Sequence, residues 1–334
     1  MIQLVDPEDR AQVLATCDGS LVSASGRTYP IVDGIPRFVV DADREQEQTA
    51  RSFGFKWTRD AHWGFEPEHQ RIVWGFWRDI FGWSGPEELR ALMSGRTVLD
   101  AGAGSGASLK QFVDWPSEVV AADISEAIDM CRRHFGDRPH VSYVQADLAR
   151  LPFEDEVFDV VWSNGVLHHT PSVFDSLRAI VRHVKAGGFV IFYIYVKKAP
   201  IREFVDDYLR ARVSDLPPEE AWGRMAGVTA LGRSLAAIAE PVTITEDVPD
   251  LGIRRGTYNL QRLLYYAVLK CYWNPAMTFD DNVHVNFDWY HPKYAHRHTP
   301  EDVRSWLPQL GLEEQSMRVS DSGIAVVARR RTSS

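Results

Sequence analysis

Cysteine is scarce in this chain of 334 residues, where Cys17, Cys131 and Cys271 stand far apart. Three scattered thiols give neither a disulfide framework nor the paired spacing of a metal site, and they are typical of a reducing compartment. We therefore expect a cytoplasmic protein that folds without disulfides and without a bound metal.

Long apolar runs are also missing. The longest covers residues 189–196, which is far shorter than the roughly 20 residues that a membrane-spanning helix needs. The first ten residues contain acids and no apolar stretch of signal-peptide length. We expect no membrane attachment.

An excess of positive charge is missing as well, because 37 lysines and arginines face 46 aspartates and glutamates, a formal net charge of -9. A protein that binds nucleic acid needs a positive face for the phosphates. The basic run Arg329 to Arg331 is interpreted as a solvated tail. We therefore expect no nucleic-acid partner. The expected partner is a small molecule, and a homodimer stays open.

The remaining composition, 45% hydrophobic and 25% charged, is typical of globular proteins. No internal repeat is visible, so changes of pattern divide the chain into distinct segments. The predicted segments are a small β-rich unit (1–45), an aromatic helical lid or linker (46–90), an α/β core (91–196), a helical cap insertion (197–297) and a return to the core (298–334).

The α/β core alternates apolar, β-branched runs with helical patterns. Such alternation predicts a mostly parallel sheet with helices on its faces and ligands at the carboxyl ends of the strands. After the cap, Thr299 is a plausible N-cap for a helix over residues 300–310, and two strands follow. The predicted core strands are residues 97–101, 118–123, 141–145, 158–163, 188–196, 314–319 and 323–328.

Aromatic residues are concentrated between Phe53 and Trp83. Their later part has helical spacing, which favours a core-packing helix. The earlier piece, Ser52 to Trp57, lacks that regularity, and we interpret it as an irregular lid over a ligand. Phe53 and Trp57 are its candidate substrate contacts.

The strongest local signal is the run from Val98 to Gly106, a strand that enters a glycine-rich turn. Glycine lets the backbone approach a ligand closely, and the helix predicted next offers free N–H groups. Gly102, Gly104 and Ala107 also satisfy the looser dinucleotide fingerprint, and Asp123 follows about twenty residues later. The turn by itself therefore predicts a nucleotide-like ligand without distinguishing between cofactors.

Three further elements follow the turn in order: Val119 to Ser125, Gln145 to Leu148, and Phe158 to His169. Together with the turn they resemble the class I S-adenosylmethionine-dependent methyltransferases, of the type 11 kind. The resemblance implies a Rossmann-like α/β fold with seven strands and S-adenosylmethionine as cofactor. The cofactor-binding residues that it implies are Asp100, Gly102, Ala103, Gly104, Ser105, Gly106, Asp123, Ile124, Asp147, Leu148 and Asn164.

In that family pattern Asp123 binds the ribose hydroxyls and Asp147 the adenine amino group, while Ile124 and Leu148 pack on the adenine ring. Asp123 and Asp147 could instead be helix caps. For Asp100, a bond to the local backbone and one to the cofactor's amino group stay equally open.

The run Tyr29 to Pro36 resembles the zinc-binding domain of tRNA-methyltransferase activator proteins, in which two cysteine pairs precede it. Only Cys17 stands there in this chain, so four-coordinate zinc through sulfur is not available. We interpret residues 1–45 as a remnant of such a domain without zinc.

The candidate catalytic residues are His168, His169 and His291, since a neutral imidazole can accept a proton from a hydroxyl or ammonium nucleophile. A scaffold role for the His168-His169 pair stays open. Residues 287–298 form a loop dense in polar aromatics, which favours substrate contact through Tyr290, Tyr294 and His296. No metal is predicted there.

We therefore expect methyl transfer to an oxygen, nitrogen or carbon atom of a small or medium organic acceptor, such as a biosynthetic intermediate of a secondary metabolite. RNA or protein as acceptor is the first alternative. A catalytically inactive binding or activator protein with the same fold is the second, and a nicotinamide oxidoreductase is the third.

Overall fold

The computed structural model describes residues 2–10, 13–17, 19–39, 44–60 and 63–332. It begins with a small antiparallel sheet of four strands in the order β1-β2-β3-β4. Tight turns between short strands explain this unit, and Gly19 and Gly34 occupy left-handed conformations in two of them. The strands are β1 (Val13–Cys17), β2 (Ser20–Ser23), β3 (Thr28–Val32) and β4 (Ile35–Pro36).

Three helices follow: α1 (Arg44–Arg59), α2 (Pro67–Phe81) and α3 (Pro86–Met93). The interpretation of residues 52–57 as irregular was wrong, because they lie inside α1. The helix predicted from the later aromatic spacing is α2. It begins with proline at its first turn and ends at Gly82, whose φ of 71° allows a left-handed cap.

The core is a sheet of seven strands in the order β12-β13-β9-β8-β5-β6-β7. Neighbours from β9 to β7 pair in parallel, and β13 is antiparallel to both β9 and β12. The predicted mostly parallel, seven-stranded sheet is confirmed. Its strands are β5 (Thr97–Ala101), β6 (Glu118–Asp123), β7 (Val141–Gln145), β8 (Phe158–Asn164), β9 (Val184–Tyr195), β12 (Leu312–Val319) and β13 (Gly323–Arg330).

Helices cover both faces of this sheet, so the strands are apolar on both sides. One face packs Trp77 and Phe81 of α2 against Trp162 of β8. The opposite face buries Leu177 and Ile180 of α5. The flanking helices of the core are α4 (Ala127–Phe135), α5 (Val173–Val181) and α10 (Pro300–Gln309).

A mostly helical insertion stands between β9 and α10, as predicted from the loss of alternation. Its helix α9 packs mainly on α7, with α6 and α1 as further neighbours. Its elements are α6 (Pro200–Val213), α7 (Pro218–Ala236), β10 (Val242–Ile244), β11 (Gly256–Tyr258), α8 (Leu260–Ala267) and α9 (Phe279–Tyr290). The five-segment division itself stays a prediction.

The small N-terminal sheet docks on β7, the edge strand of the core. Phe38 donates its backbone N–H to the carbonyl of Gln145 at 2.7 Å, and Arg37 pairs with Asp129 of α4 at 2.5 Å. Covering an edge strand removes a site at which other chains could pair. Nothing is described of the Cys17 side chain, so the predicted lack of zinc there falls outside the described residues. Among the described helices, none is long and apolar enough to span a membrane.

Candidate active site

The turn after β5 has a backbone that only glycine adopts easily. Gly102, Gly104 and Gly106 all have positive φ, of 97°, 54° and 88°. A Cβ on Gly102 would lie 2.4 Å from the Cγ atoms of Val166, so no larger residue fits there. Gly102 also donates its N–H to the carbonyl of Ala122 at 2.8 Å, which fixes the turn at the ends of β5 and β6.

Asp123, the last residue of β6, holds this turn from the side. Its Oδ2 accepts the N–H of Gly104 at 2.8 Å, and its Oδ1 accepts the N–H and the hydroxyl of Ser125 at 2.8 and 2.6 Å. The carboxylate is 9% exposed and lines a cavity next to the turn. It therefore shapes the turn as well as facing a ligand.

That cavity has a volume of about 830 Å³, counted with the space open to solvent at its mouth. Its floor is formed by the ends of β5, β6 and β8 and by the loop after β7. Its roof is α1, with Asp288 of α9 at one end. The roof residues recur at helical spacing, and they are Gln46, Thr49, Phe53, Lys56 and Trp57.

The comparisons with known proteins agree with this geometry. Residues 99–192 match a family described as a methyltransferase domain. A malonyl-[acyl-carrier protein] O-methyltransferase of Pseudescherichia vulneris is 35% identical over 96 residues, which cover 29% of this chain and 38% of that protein. The ubiquinone/menaquinone biosynthesis C-methyltransferase UbiE of Ectopseudomonas mendocina is 29% identical over 180 residues, covering 52% and 70%.

A tRNA U34 carboxymethyltransferase of Pseudoalteromonas atlantica is 31% identical over 119 residues, covering 34% of this chain and 36% of that protein. Among solved structures, an S-adenosylmethionine-dependent methyltransferase of Mesorhizobium loti is 18% identical and covers 73% of this chain and 96% of its own, with a TM-score of 0.42. The match to the malonyl-[acyl-carrier protein] O-methyltransferase thus spans only 38% of that protein's length.

The family match falls on the glycine turn and the four strands that follow it. Residues 99–192 thus form a methyltransferase domain. Its cofactor is S-adenosylmethionine, as the resemblance predicted.

The residues of the methyltransferase cavity fit this cofactor. Asn164 lines the cavity, and its Oδ1 is buried without a hydrogen-bond partner among the described residues, so a donor of a ligand would satisfy it. The glycine turn offers the close backbone approach that a nucleoside needs. Of the eleven predicted cofactor residues, those that line the cavity are Gly102, Ala103, Gly104, Asp123, Ile124, Asp147, Leu148 and Asn164.

The other three predicted cofactor residues lie behind the cavity wall. Asp100 is 2% exposed, and burial, followed by repulsion from Asp123, raises its pKa to about 8. Ser105 is buried, and its carbonyl contacts the ring of His134. A Cβ on Gly106 would lie 2.6 Å from Phe135. These three residues do not line the cavity in this structure, and their role as cofactor ligands stays a prediction.

Asp147 combines both roles that the sequence left open. Its Oδ1 accepts the N–H of Ala149 at 2.9 Å and so caps the short turn after β7. It also lines the cavity together with Leu148. Its predicted contact with adenine stays a proposal.

Among the three candidate bases, His169 alone lines the cavity. Its Nδ1 lies 2.6 Å from the carbonyl oxygen of Tyr294, which can only accept, so Nδ1 carries the proton and Nε2 carries the lone pair. Nε2 has no partner among the described residues. Burial lowers the pKa of His169 to about 4, and Asp288 opposes part of that shift. The ring is therefore neutral near pH 7.

His168 and His291 are placed where a base cannot act on a ligand in this cavity. His168 is fully buried and stacks on the ring of Tyr195, with 3.5 Å between ring centroids. The ring of His291 is engaged at both nitrogens, by the hydroxyl of Ser52 at 2.8 Å and the carbonyl of Leu216 at 3.1 Å. Neither histidine lines the cavity in this structure, and their role as bases stays a prediction.

Of the five predicted substrate contacts, two line the cavity and three do not. Phe53 and Trp57 line the cavity. Tyr290 instead donates its hydroxyl to Asp206 at 2.7 Å inside the cap, and His296 donates its backbone N–H to the carbonyl of His168 at 2.8 Å. Tyr294 contributes the carbonyl that orients His169. Tyr290, Tyr294 and His296 do not line this cavity, and their contact with a substrate stays a prediction.

The sequence analysis missed an ion pair at one end of the cavity. Lys56 of α1 donates to Oδ1 of Asp288 at 2.5 Å, and the hydroxyl of Tyr195 donates to Oδ2 at 3.0 Å. Burial would raise the pKa of Asp288, but attraction to Lys56, His169 and Lys270 keeps it well below its ordinary range. Its place next to the predicted contact Trp57 was the available signal for Lys56, whereas no local pattern pointed to Asp288.

No group of three or more histidines, cysteines, aspartates or glutamates in the described part of the chain is arranged to hold a metal ion.

Proposed function

We propose that this protein transfers the methyl group of S-adenosylmethionine to a small or medium organic acceptor that is enclosed between the glycine turn, α1 and α9. The observation that supports this proposal is that residues of the core and residues of the lid and cap line the same cavity. Asp123 ends a strand of the core sheet and Asp147 lies in the turn after another, while Phe53, Trp57 and Asp288 belong to the lid and the cap. A roof of this kind suits a compact organic ligand better than a polymer.

S-adenosylmethionine supplies an activated methyl group on a sulfonium. The chain itself has to align the acceptor and keep water out. Orientation alone is worth roughly 7–11 kcal/mol in well-ordered systems. Phe53 and Trp57 exclude water from above, and the turn at Gly102 and Gly104 fixes the floor. Few residues therefore need to take part in the chemistry.

His169 is the candidate general base when the acceptor atom carries a proton. The carbonyl of Tyr294 fixes the ring so that the lone pair is on Nε2. The ring packs edge-on against Phe53, with 4.8 Å between centroids, and lines the cavity. A proton from a hydroxyl or ammonium acceptor would move to Nε2. An activated carbon acceptor would need no such transfer.

The test begins with a screen of small metabolites for transfer of a labelled methyl group. With the acceptor found, His169→Asn keeps an N–H for the carbonyl of Tyr294 and removes the base. For an oxygen or nitrogen acceptor we expect kcat to fall by about 10²–10⁴-fold, while binding of S-adenosylhomocysteine, the demethylated cofactor, stays unchanged. His298→Asn, outside the cavity, is the matched control. An unchanged kcat would remove His169 from the chemistry.

RNA or protein as acceptor is the second candidate, because a tRNA carboxymethyltransferase is among the relatives. The net charge of -9 argues against a polyanionic acceptor. Labelled methyl transfer to bulk tRNA at low salt, with none to metabolites, would favour this candidate. An inactive binding protein would bind the cofactor or a partner and transfer no methyl group to any acceptor.

The location and assembly of the protein remain part of the same proposal. Three scattered cysteines fit a reducing cytoplasm. A homodimer is compatible with a site that is complete within one chain, and sedimentation would decide it.

A further inference from the structure

The residues around the cavity carry more negative than positive charges. Among the described residues that line it, Asp123, Asp147 and Asp288 carry carboxylates, and Lys56 is the single lysine or arginine. S-adenosylmethionine ends in an amino acid, so its own carboxylate must also be accommodated. A carboxylate moved out of water without a cation or hydrogen-bond donors is strongly unfavourable. Lys56 is the cation available to it.

Lys56 has donor capacity left after its ion pair. Its side chain is 7% exposed, and its ammonium donates one hydrogen to Asp288. The same nitrogen lies 4.2 Å from the ring centroid of Trp57 and 5.3 Å from that of Phe53. No second hydrogen-bond acceptor for it is found in the part of the chain that the structure describes. The ring faces attract the charge but accept no conventional hydrogen bond, so a cavity ligand has to use the other hydrogens.

The order of the strands tells which end of the cofactor reaches Lys56. Asp123 and Asp147 stand at the ends of β6 and β7, on one side of β5. The partner of Lys56, Asp288, bonds to Tyr195 of β9, on the other side of β5. If the adenosine lies over β6 and β7, the amino-acid end extends across the glycine turn toward β8 and β9. Trp57, the neighbour of Lys56, lies over the glycine turn between these two ends. Its Nε1 is 3.0 Å from the position that a Cβ on Gly104 would take.

We propose that the ammonium of Lys56 binds the carboxylate at the amino-acid end of the cofactor, and that Asp288 is a positioning residue that holds Lys56 in place. This inference rests on the proposed function, since it takes S-adenosylmethionine as the ligand. The helix α1, which covers the cavity, would then supply a residue of the cofactor site. The cap contributes through Asp288 without touching the carboxylate.

The experiment compares two ligands by calorimetry. S-adenosylhomocysteine has the amino-acid end, and 5′-methylthioadenosine lacks it. For Lys56→Met we expect S-adenosylhomocysteine to bind about ten- to a hundredfold more weakly, the usual effect of losing a charged hydrogen bond. Binding of 5′-methylthioadenosine should stay within about twofold of the unaltered protein, a difference of about 0.4 kcal/mol.

Two further variants keep the result interpretable. Lys56→Met alone leaves Asp288 as a buried, unpaired charge, which could unfold the chain. The double variant Lys56→Met/Asp288→Asn removes both charges and should show the same selective loss. Lys56→Arg should restore much of the affinity for S-adenosylhomocysteine. Lys293→Met, which removes an ion pair to Asp215 outside the cavity, is the matched control and should change neither ligand.

Each other outcome overturns the inference. An equal loss for both ligands would mean that Lys56 acts through the packing of α1. No loss for either ligand would mean that Lys56 faces an acceptor anion or has no ligand. If the unaltered protein binds neither ligand, the proposed function fails first, and that result is distinct from a failure of Lys56 alone.

Discussion

Trp57 of the roof lies close to Gly104 of the floor. The indole Nε1 would be 3.0 Å from a Cβ at position 104, and the backbone there has a φ of 54°. A β-branched residue at that φ is strained, and its branches would push the indole upward. One glycine thus determines both the shape of the turn and the distance between floor and roof.

Gly104→Val should therefore weaken binding of S-adenosylhomocysteine by about tenfold or more, since strain of 1–2 kcal/mol and a displaced Trp57 both oppose it. Calorimetry gives the affinity, and circular dichroism shows whether the chain is folded. Gly75→Val, in α2 where a Cβ would meet nothing within 4 Å, is the matched control. Unaltered affinity of the Gly104 variant would remove the turn from the cofactor site.

The glycines and the acids after β6 and β7 could be predicted from the sequence because each follows a strand at a fixed spacing. The choice among the histidines could not. His168 and His169 are neighbours in the chain, yet one ring stacks on Tyr195 and the other lines the cavity. A dipeptide pattern does not tell which way each ring turns.

Among the helices and strands, α10 begins at the N-cap that the sequence predicted. The hydroxyl of Thr299 accepts the N–H of Asp302 at 3.1 Å, and the carboxylate of Asp302 accepts the N–H of Thr299 at 2.9 Å. This reciprocal pair is a capping box, which satisfies N–H groups that the helix itself leaves open. The predicted N-cap at Thr299 is confirmed.

Thr299→Ala should lower the free energy of unfolding by about 1 kcal/mol, the usual effect of removing an N-cap hydroxyl. Urea unfolding followed by circular dichroism measures it. Thr299→Ser keeps the hydroxyl and should retain most of the stability. If the alanine and serine variants unfold alike, the cap contributes nothing to stability.

The lid helix α1 shows why an element can be misjudged. Gly54 and the crowded aromatics around it obscure the helical pattern in residues 52–57, and the polar residues Gln48, Thr49 and Ser52 are buried. Their burial has a tertiary cause, since Gln48 donates to the carbonyls of Ser214 and His291 at 2.7 and 3.0 Å. Hydrogen bonds to the cap therefore stabilise a helix that the apolar pattern alone did not predict.

For the molecule as a whole, buried histidines make stability depend on pH. Burial lowers the pKa of His169 and His183 to about 4 and keeps that of His168 and His284 well below the ordinary value of 6.5. Above pH 6.5 neither the folded nor the unfolded chain protonates them, and their contribution to stability is fully present. Between pH 6.5 and about 4 the unfolded chain takes up protons that the folded chain does not, so stability falls.

His183→Gln isolates one of these groups outside the cavity lining, since His183 is 1% exposed and its Nδ1 lies 2.8 Å from the carbonyl oxygen of Glu154. Each such histidine should contribute about 1.4 kcal/mol of lost stability per pH unit within that window. The loss between pH 7 and pH 5, measured by urea unfolding, should thus be about 1–2 kcal/mol smaller in the variant. An equal loss in both proteins would contradict this account.

The sequence by itself determined the alternation of strands and helices, the glycine turn and the acids at the ends of two strands, because each of these depends on residues close together in the chain. Tertiary structure alone decided the ion pair in the roof of the cavity. Lys56 and Asp288 are 232 positions apart and meet only because α1 and α9 pack over the same sheet. A contact of that kind depends on how helices are placed in space, which no local spacing records.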